Sequence, residues 1–149
     1  MDKYWFRKGI TDFLNSMCSP RSSVTKTKKK EADGSKTSTY DGGEWTAVSN
    51  YFGHRLNRVG RLVVSYRGEV VMVKQYHAHA IDEIDSSALS KFVETVRMGG
   101  SHQSFGELKF RKDGRHLNDV TCILEEKVLR GSEEVYNCFN IETYLNSAA

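Results

Sequence analysis

The chain has 149 residues, which suits one compact domain with some additional sequence, and 38% hydrophobic residues are enough for a core. The formal net charge is +3 but uneven: residues 1–40 carry +5, residues 41–80 carry +2 and residues 81–149 carry −4. This asymmetry favours a polyanionic partner on one side of the molecule. Three cysteines without a CxxC pair, and the lack of any signal-peptide or transmembrane pattern, predict a soluble, intracellular protein that does not insert into membranes.

The N-terminal segment, residues 1–18, is predicted to form an amphipathic helix that ends before Pro20. Its apolar residues recur at helical spacing: Phe6, Ile10, Phe13, Leu14 and Met17. Residues 19–43 are rich in Ser, Thr, Lys and Gly and contain one aliphatic side chain, Val24. Because so few apolar groups cannot offset the entropy of ordering, this segment is predicted to be a flexible basic linker. Its lysine run is also a weak candidate for a nuclear signal or a nucleic-acid contact.

Residues 44–149 are predicted to form one α+β domain. Its first element is a helix over about 44–58, with one apolar face: Trp45, Val48, Phe52, Leu56 and Val59. A β-hairpin follows, with a tight turn at Arg67-Gly68. A two-residue turn in that hairpin places Leu62, Val64, Val71 and Val73 on one face of the sheet, and Arg61, Val63, Ser65, Val70, Met72 and Lys74 on the other.

The second half of this domain is predicted to contain a helix and then strands. The helix begins at Asp85 or Ser86 and ends at Gly99-Gly100, with Leu89, Phe92, Val93 and Val96 on its apolar face. The strands that follow are predicted to turn at residues 112–114 and again at Arg130-Gly131. The predicted fold is therefore a helix–β-hairpin–helix core, extended by further antiparallel strands and preceded by the N-terminal helix on its linker.

No enzymatic site emerges from the motifs. His77 and His79 lie two residues apart, so on a strand they share a face, as zinc ligands often do. HxH alone is a weak signal, and the preferred interpretation is a polar strand end before a helix cap. Cys122 and Cys138 lie in apolar strand patterns, and no nucleotide-binding or hydrolase motif occurs. The prediction is a non-enzyme without metal or cofactor.

Basic residues around the second predicted helix and the hairpin give the better functional signal. Arg55, Arg58, Arg61, Arg67 and Lys74 are candidate phosphate contacts, and Ser65 is a candidate partner for a phosphate or a ribose 2′-hydroxyl. A solvated basic helix side, or burial of the sheet face for dimer packing, accounts for the same pattern about equally well.

The central stretch resembles the tombusvirus- and aureusvirus-type suppressors of RNA silencing. The resemblance covers roughly residues 44–98 and lies in Trp45-Thr46, Tyr51-Phe52-Gly53, Tyr66-Arg67-Gly68, the strand that follows and the helix from Ser86. It implies a homodimer whose sheet lies along double-stranded RNA and contacts backbone rather than bases. The family caps duplex ends with two nearby tryptophans, for which Trp5 and Trp45 are the candidates. Because these two stand far apart in the sequence, binding regardless of duplex length is expected.

Two functions from different classes follow as expectations. The first is a viral double-stranded-RNA-binding protein that sequesters silencing RNAs in the host cytoplasm, with the basic linker as a candidate nuclear signal. The alternative is a small viral structural or matrix-like protein whose basic N-terminal region binds nucleocapsid or membrane.

Overall fold

The computed structural model describes residues 3–19, 21–54, 56–81, 86–97 and 104–145. Within these ranges the protein is one antiparallel sheet of nine strands with two helices. The strands lie in the order β1-β2-β3-β4-β5-β9-β8-β7-β6. Each of the first four strands therefore pairs with the next, whereas β5 pairs with β9, and from there to the edge the strands follow in reverse order of sequence.

The helices are α1 (Lys3–Cys18) and α2 (Ser86–Arg97). The strands are β1 (Thr25–Lys30), β2 (Lys36–Gly42), β3 (Trp45–His54), β4 (Asn57–Tyr66), β5 (Glu69–Ala80), β6 (Ser104–Phe105), β7 (Leu108–His116), β8 (Thr121–Arg130) and β9 (Glu133–Tyr144). Both helices lie where the apolar periodicity predicts them. The predicted helix stop at Gly99-Gly100 lies outside the described residues.

The predicted helix–hairpin–helix core is wrong, because residues 45–54 form strand β3 instead of a helix. Apolar residues spaced three or four apart fit a helix, but this stretch is also rich in β-branched and aromatic residues. In the sheet Ala47 and Tyr51 are buried, whereas Val48 and Phe52 point to the opposite face and are 43% and 45% exposed. Pairing with β2 and β4 therefore overrides the helical spacing.

The flexible linker predicted for residues 19–43 is also wrong, because it contains the hairpin β1–β2. The chain reverses at residues 31–35, where Gly34 adopts a positive φ of 91° and Asp33 accepts hydrogen bonds from the backbone and hydroxyl of Ser35. These bonds hold the pKa of the Asp33 carboxyl below its usual value. Val24 and Tyr40 pack against the core, so two side chains anchor a hairpin of otherwise polar residues.

The hairpin β4–β5 lies where it was predicted, and its turn is as tight as expected. Arg67 and Gly68 both have positive φ, 50° and 82°, which is the signature of a type I′ turn. The pairing shifts within the hairpin, however: Ser65 pairs with Val70 but Val64 pairs with Met72, so Val71 is an extra residue in β5. Beyond this β-bulge, each residue of β5 from Met72 onwards lies on the opposite face of the sheet from the one that the bulge-free hairpin predicts.

The turn predicted at residues 112–114 is wrong, whereas the turn predicted at Arg130-Gly131 is present one residue later, at residues 131–132. Strand β7 runs straight through 112–114 to His116, and Gly114 pairs with Leu124 in β8. The chain turns instead at residues 117–120, where the Asn118 side chain accepts hydrogen bonds from the backbone of Val120 and Thr121. Asn in a short polar loop is itself a turn signal.

Both helices pack on the same face of the sheet. Helix α1 contributes Ile10 and Phe13 to a cluster with Ala47, Val64 and Met72. Helix α2 contributes its apolar residues to a second cluster with the far halves of β5, β8 and β9: Leu89, Phe92 and Val93 pack with Ala78, Val128, Tyr136 and Cys138. We call this side of the sheet the helical face and the other side the open face, because no helix covers it among the described residues.

Candidate nucleic-acid interface

The open face is a mixed surface of hydroxyls, amides, cations and apolar side chains. On β2 to β5 its residues are Thr37, Thr39, Asp41, Thr46, Val48, Asn50, Phe52, Val59, Arg61, Val63, Ser65, Val70, Val73, Gln75, His77 and His79, so a carboxylate, that of Asp41, lies among them. The strand register sets these neighbours: Arg61 lies between Asn50 of β3 and Gln75 of β5. Nine strands at a spacing of ~4.8 Å make a surface roughly 40 Å wide before its twist is considered.

Two of the predicted RNA contacts, Arg61 and Ser65, lie together on this open face. Both point to the open face of β4, with Val63 between them on that face, and Arg61 is exposed. Within the described part of the chain neither the Arg61 guanidinium nor the Gln75 amide beside it is paired with another side chain. Arg61 is therefore a cation available to an outside anion.

Lys74 does not join them, because the bulge at Val71 moves it to the other face. Lys74 is predicted to share a face with Arg61, but in the structure Lys74 pairs with Leu62 and Arg61 pairs with Gln75. Lys74 thus shares the helical face with Leu62 and Met72, beside Glu142 of β9. The predicted grouping of Val71 with Val73 on one face is lost for the same reason.

Arg58 also lies on the helical face, next to an aromatic ring. Its guanidinium carbon is 4.6 Å from the centre of the Tyr51 ring, which is a cation–π geometry. Its Nε is buried and has no hydrogen-bond partner within the described residues. Arg55, another predicted contact, lies outside the described residues.

Arg67, in the β4–β5 turn, is already engaged. Its guanidinium donates to one carboxylate oxygen of Glu44 over 2.9 and 3.1 Å, and its backbone N–H donates to the Glu44 carbonyl. The hydrogen bond and the charge of Glu44 raise the pKa of Arg67. This exposed pair ties the turn to the β2–β3 connection, so Arg67 is occupied before any ligand arrives.

The lysines of β1, in the segment that is predicted to be a linker, form an exposed basic edge of the sheet. All six residues of β1 are exposed, and Lys26, Lys28 and Lys30 lie on the helical side, whereas Lys29 lies on the open side. Lys26 stacks over the Tyr40 ring at 5.4 Å, and Lys29 approaches Glu31 at 3.9 Å. Lysines on an edge strand also prevent edge-to-edge aggregation, which accounts for part of this pattern.

Of the two tryptophans predicted to cap duplex ends, the structure describes the side chain of Trp45. Trp45 is half-buried in the α1 cluster, with ring centres 4.6 Å from Tyr66 and 6.1 Å from Phe13. The close approach of α1 to this ring explains Gly9, where a Cβ would lie 2.6 Å from the indole. The side chain of Trp5 lies outside the described part of the chain.

His77 and His79 point to the same face of β5, as their spacing requires, and both are exposed. Phe139 and Asn137 lie opposite them on β9, and neither is a metal ligand of the expected kind. No group of three or more His, Cys, Asp or Glu side chains converges among the described residues. Asp82, Glu83 and Asp85, which follow the pair in sequence, fall outside them.

A polar cluster surrounds Cys122 on the helical face. Its thiol lies 3.8 Å from a Glu142 carboxylate oxygen, which also accepts a hydrogen bond from the Tyr144 hydroxyl at 3.2 Å. Burial, and then the Glu142 charge, raise the pKa of both Cys122 and Tyr144. Arg7 of α1 stacks on the Tyr144 ring at 4.8 Å and donates to the Asp119 carbonyl. A thiol with a raised pKa is a poor nucleophile, which argues against a catalytic role for Cys122. The two contacts of Arg7 give the cluster a structural role, because they join α1 to the sheet.

Sequence reasoning missed the feature that stands out on the open face, an apolar depression between β3 and β9. It is lined by Phe52, Val59, Phe139 and Ile141 together with Arg61 and Gln75. Phe52 and Val59 were placed on the buried side of a predicted helix. A strand reading of residues 45–54 would have moved Phe52 to the face that also carries Asn50.

No described helix is long and apolar enough to cross a membrane. The chain matches no protein-family model, no curated protein and no solved structure.

Proposed function

We propose that this protein binds double-stranded RNA through the sugar–phosphate backbone and does not alter it chemically. The observation that carries the proposal is the open face, where the exposed guanidinium of Arg61 lies between the amides of Asn50 and Gln75, with hydroxyl side chains on the same face. Guanidinium groups pair with phosphate oxygens, while Ser, Thr, Asn and Gln bond phosphates or ribose 2′-hydroxyls. In an A-form duplex these groups are accessible and most base edges are not.

The charge distribution supports this proposal. The N-terminal 80 residues hold the positive excess of the chain, and they form helix α1 and strands β1 to β5, the half of the sheet that contains Arg61. The lysine-rich edge at β1 adds a positive field beside the open face. Such a field attracts a polyanion over a distance of about a Debye length, roughly 10 Å at moderate salt.

The resemblance to tombusvirus-type suppressors supports the biological part of the proposal: the bound RNA would be withheld from a silencing pathway in the host cytoplasm. Trp45-Thr46 and Tyr66-Arg67-Gly68 still begin and end a strand pair in the structure. The resemblance implies a helix that ends at Tyr51-Phe52-Gly53, but these residues lie in strand β3, so the support lies in the short motifs and in the presence of an open sheet face. We include homodimer formation in the proposal for the same reason.

A gel-shift assay with three ligands tests the proposal. The ligands are an RNA duplex, a DNA duplex of the same sequence and the single-stranded RNA. We expect clear preference for the RNA duplex, because 2′-hydroxyls and A-form geometry distinguish it. Equal binding of all three would mean that the protein binds nucleic acids non-specifically through its positive charge. Flotation with anionic vesicles, unaccompanied by duplex binding, would favour the matrix-like alternative instead.

Two variants of matched charge test which face is used. Arg61→Gln removes a cation from the open face, and Lys74→Gln removes one from the helical face of the neighbouring strand. We expect the first to weaken duplex binding about fivefold or more, in line with a lost phosphate contact, and the second to have little effect. Equal losses would mean that only net charge matters, and a larger loss with Lys74→Gln would move the interface to the helical face.

A further inference from the structure

A depression of about 500 Å³ lies in the open face across β3, β4, β5 and β9. Its apolar part is Phe52, Val59, Phe139 and Ile141, and its polar part includes Arg61 and Gln75. Phosphate contact at Arg61 uses none of the apolar groups. The depression therefore needs an explanation beyond backbone binding.

The strand register arranges these side chains in two adjacent rows. Phe52, Val59 and Phe139 lie in one cross-strand row, with His77 between the last two. Arg61, Gln75 and Ile141 lie in the next row. Phe52 and Phe139 are three strand spacings apart, about 14 Å, so they form opposite walls with Val59 on the floor between them.

Two of these four apolar side chains are exposed to solvent. Phe52 is 45% exposed and Val59 is 51% exposed, whereas Tyr51, next to Phe52 on the helical face, is 7% exposed. Single exposed apolar side chains are common, but adjacent ones in a depression mark a binding surface. The occupant must be apolar on its faces, because it would contact the Phe52 ring, and polar on its edge, because Gln75 offers both a donor and an acceptor.

A nucleobase has this combination of properties. Its flat faces stack on aromatic rings, its edge hydrogen-bonds to amides, and its backbone carries a phosphate for Arg61. An apolar protein surface fits less well, because it would remove the Arg61 charge from water without supplying an anion. Charge complementarity therefore favours RNA over a protein occupant.

We propose that this depression receives an unpaired base of the bound RNA, stacked on Phe52, with Arg61 at the adjacent phosphate. The inference deepens the proposed function and rests on it, since the base belongs to the same RNA whose duplex part lies on the open face. It predicts that RNA duplexes containing an unpaired nucleotide are preferred over fully paired ones.

The test compares a fully paired RNA duplex with the same duplex carrying one bulged nucleotide. The parent protein should bind the bulged duplex more tightly by at least about fivefold, the lower end of what stacking one base on an aromatic ring contributes. Phe52→Ala should reduce the ratio of the two affinities to about one, and Phe52→Trp should preserve it. Val48→Ala, at a comparably exposed position outside the depression, is the control and should preserve the ratio too.

The outcomes separate this inference from the proposed function. Equal affinity of the parent protein for both duplexes would overturn the base site while leaving duplex binding intact, as would a preference that survives Phe52→Ala. If neither duplex binds, the proposed function fails, and binding of single-stranded RNA then tests whether the depression receives a base. Binding of the single strand that depends on Phe52 would keep the site, and absence of such binding would remove it.

Discussion

At the scale of single residues, Gly60 marks the tightest packing in the middle of the sheet. A Cβ at this position would lie 2.7 Å from the Asn50 carbonyl oxygen, the Tyr51 Cβ and the Tyr76 hydroxyl. Two of these atoms belong to backbone or to a stem that cannot move away, so Gly60→Ala should lower the free energy of unfolding by about 1–3 kcal/mol. Urea denaturation measures this loss.

Gly114 provides the matched control for Gly60. It also lies within a strand, but the close neighbour of a Cβ there would be the end of the Leu124 side chain, at 2.8 Å, while the Ile123 carbonyl oxygen lies at an ordinary contact distance of 3.7 Å. Because a leucine methyl can rotate away, Gly114→Ala should change the free energy of unfolding by less than about 1 kcal/mol. Equal losses in the two variants would contradict the packing at Gly60.

Adjacent valines in β4 test which face of the sheet is the core. Val64 is fully buried under α1, and Val63 points to the open face. Val64→Asp should unfold the protein, because an unpaired buried carboxylate costs several kcal/mol. Val63→Asp should remain folded, and circular dichroism melting curves distinguish the two. The reverse result would mean that the two faces are exchanged.

The raised pKa of Cys122 predicts its reactivity towards alkylating agents. Burial and the Glu142 charge disfavour the thiolate, so at pH 8 a smaller fraction of Cys122 should be reactive than in an unperturbed thiol. Iodoacetamide should therefore label exposed Cys18 first, as mass spectrometry of peptides would show. Glu142→Gln removes the charge and should shift the pH–rate profile of Cys122 labelling to lower pH. An unchanged profile would exclude Glu142 as a cause.

At the scale of elements, the contacts of the hairpin β1–β2 indicate that it contributes to the stability of the fold. Ser35 and Ser38 are buried, and Asn50 donates hydrogen bonds to Ser35 and Thr37 at 3.1 and 3.0 Å. Deleting residues 19–43 should therefore lower the melting temperature substantially, because the deletion also exposes the edge of β3. Replacing the β1 lysines with glutamine is the control and should leave the melting temperature nearly unchanged, since all are exposed. An unchanged melting temperature after the deletion would restore the linker interpretation.

The elements also show where sequence reasoning succeeds and where it fails. Helix α2 could be predicted because Leu89, Phe92 and Val93 repeat at helical spacing and all three are buried. Strand β3 could not be separated from a helix by spacing alone, because pairing on both sides decides its conformation. The hairpin β1–β2 had a signal, an Asp-Gly turn between Thr-rich runs, but its low apolar content outweighed that signal.

The candidate site depends on a single β-bulge within strand β5. The β4–β5 hairpin was predicted with its turn, yet the single extra residue Val71 separates Arg61 from Lys74. No local pattern in the valine-rich run of β5 indicates a bulge, whereas in the folded chain Leu145 donates a backbone hydrogen bond to the Val71 carbonyl. A long-range contact thus accompanies the change of register, and long-range contacts are not readable from one sequence.

At the scale of the whole molecule, the twist of the sheet limits how an RNA duplex can lie on it. Neighbouring strands rotate by about 20–25° relative to each other, so the open face of β1 to β5 and that of β9 to β6 point in different directions. A straight duplex therefore contacts one half of the sheet at a time. The half with Arg61 carries the positive excess, so we expect the duplex to run along β1 to β5.

The edge strand β1 allows this orientation to be tested by the salt dependence of binding. Lys28 and Lys29 are neighbours of equal charge, both exposed, but Lys29 points to the open side and Lys28 to the helical side. Each phosphate contact releases condensed counterions, so losing one lowers the slope of log affinity against log salt by about one unit. If the duplex reaches the edge of the open face, Lys29→Gln should lower the slope and Lys28→Gln should not. The two substitutions change the net charge identically, so a difference between their slopes reports on position alone. Equal slopes in the two variants would confine the interface to the region around Arg61. A lower slope with Lys28→Gln alone would place the duplex on the helical side of the edge.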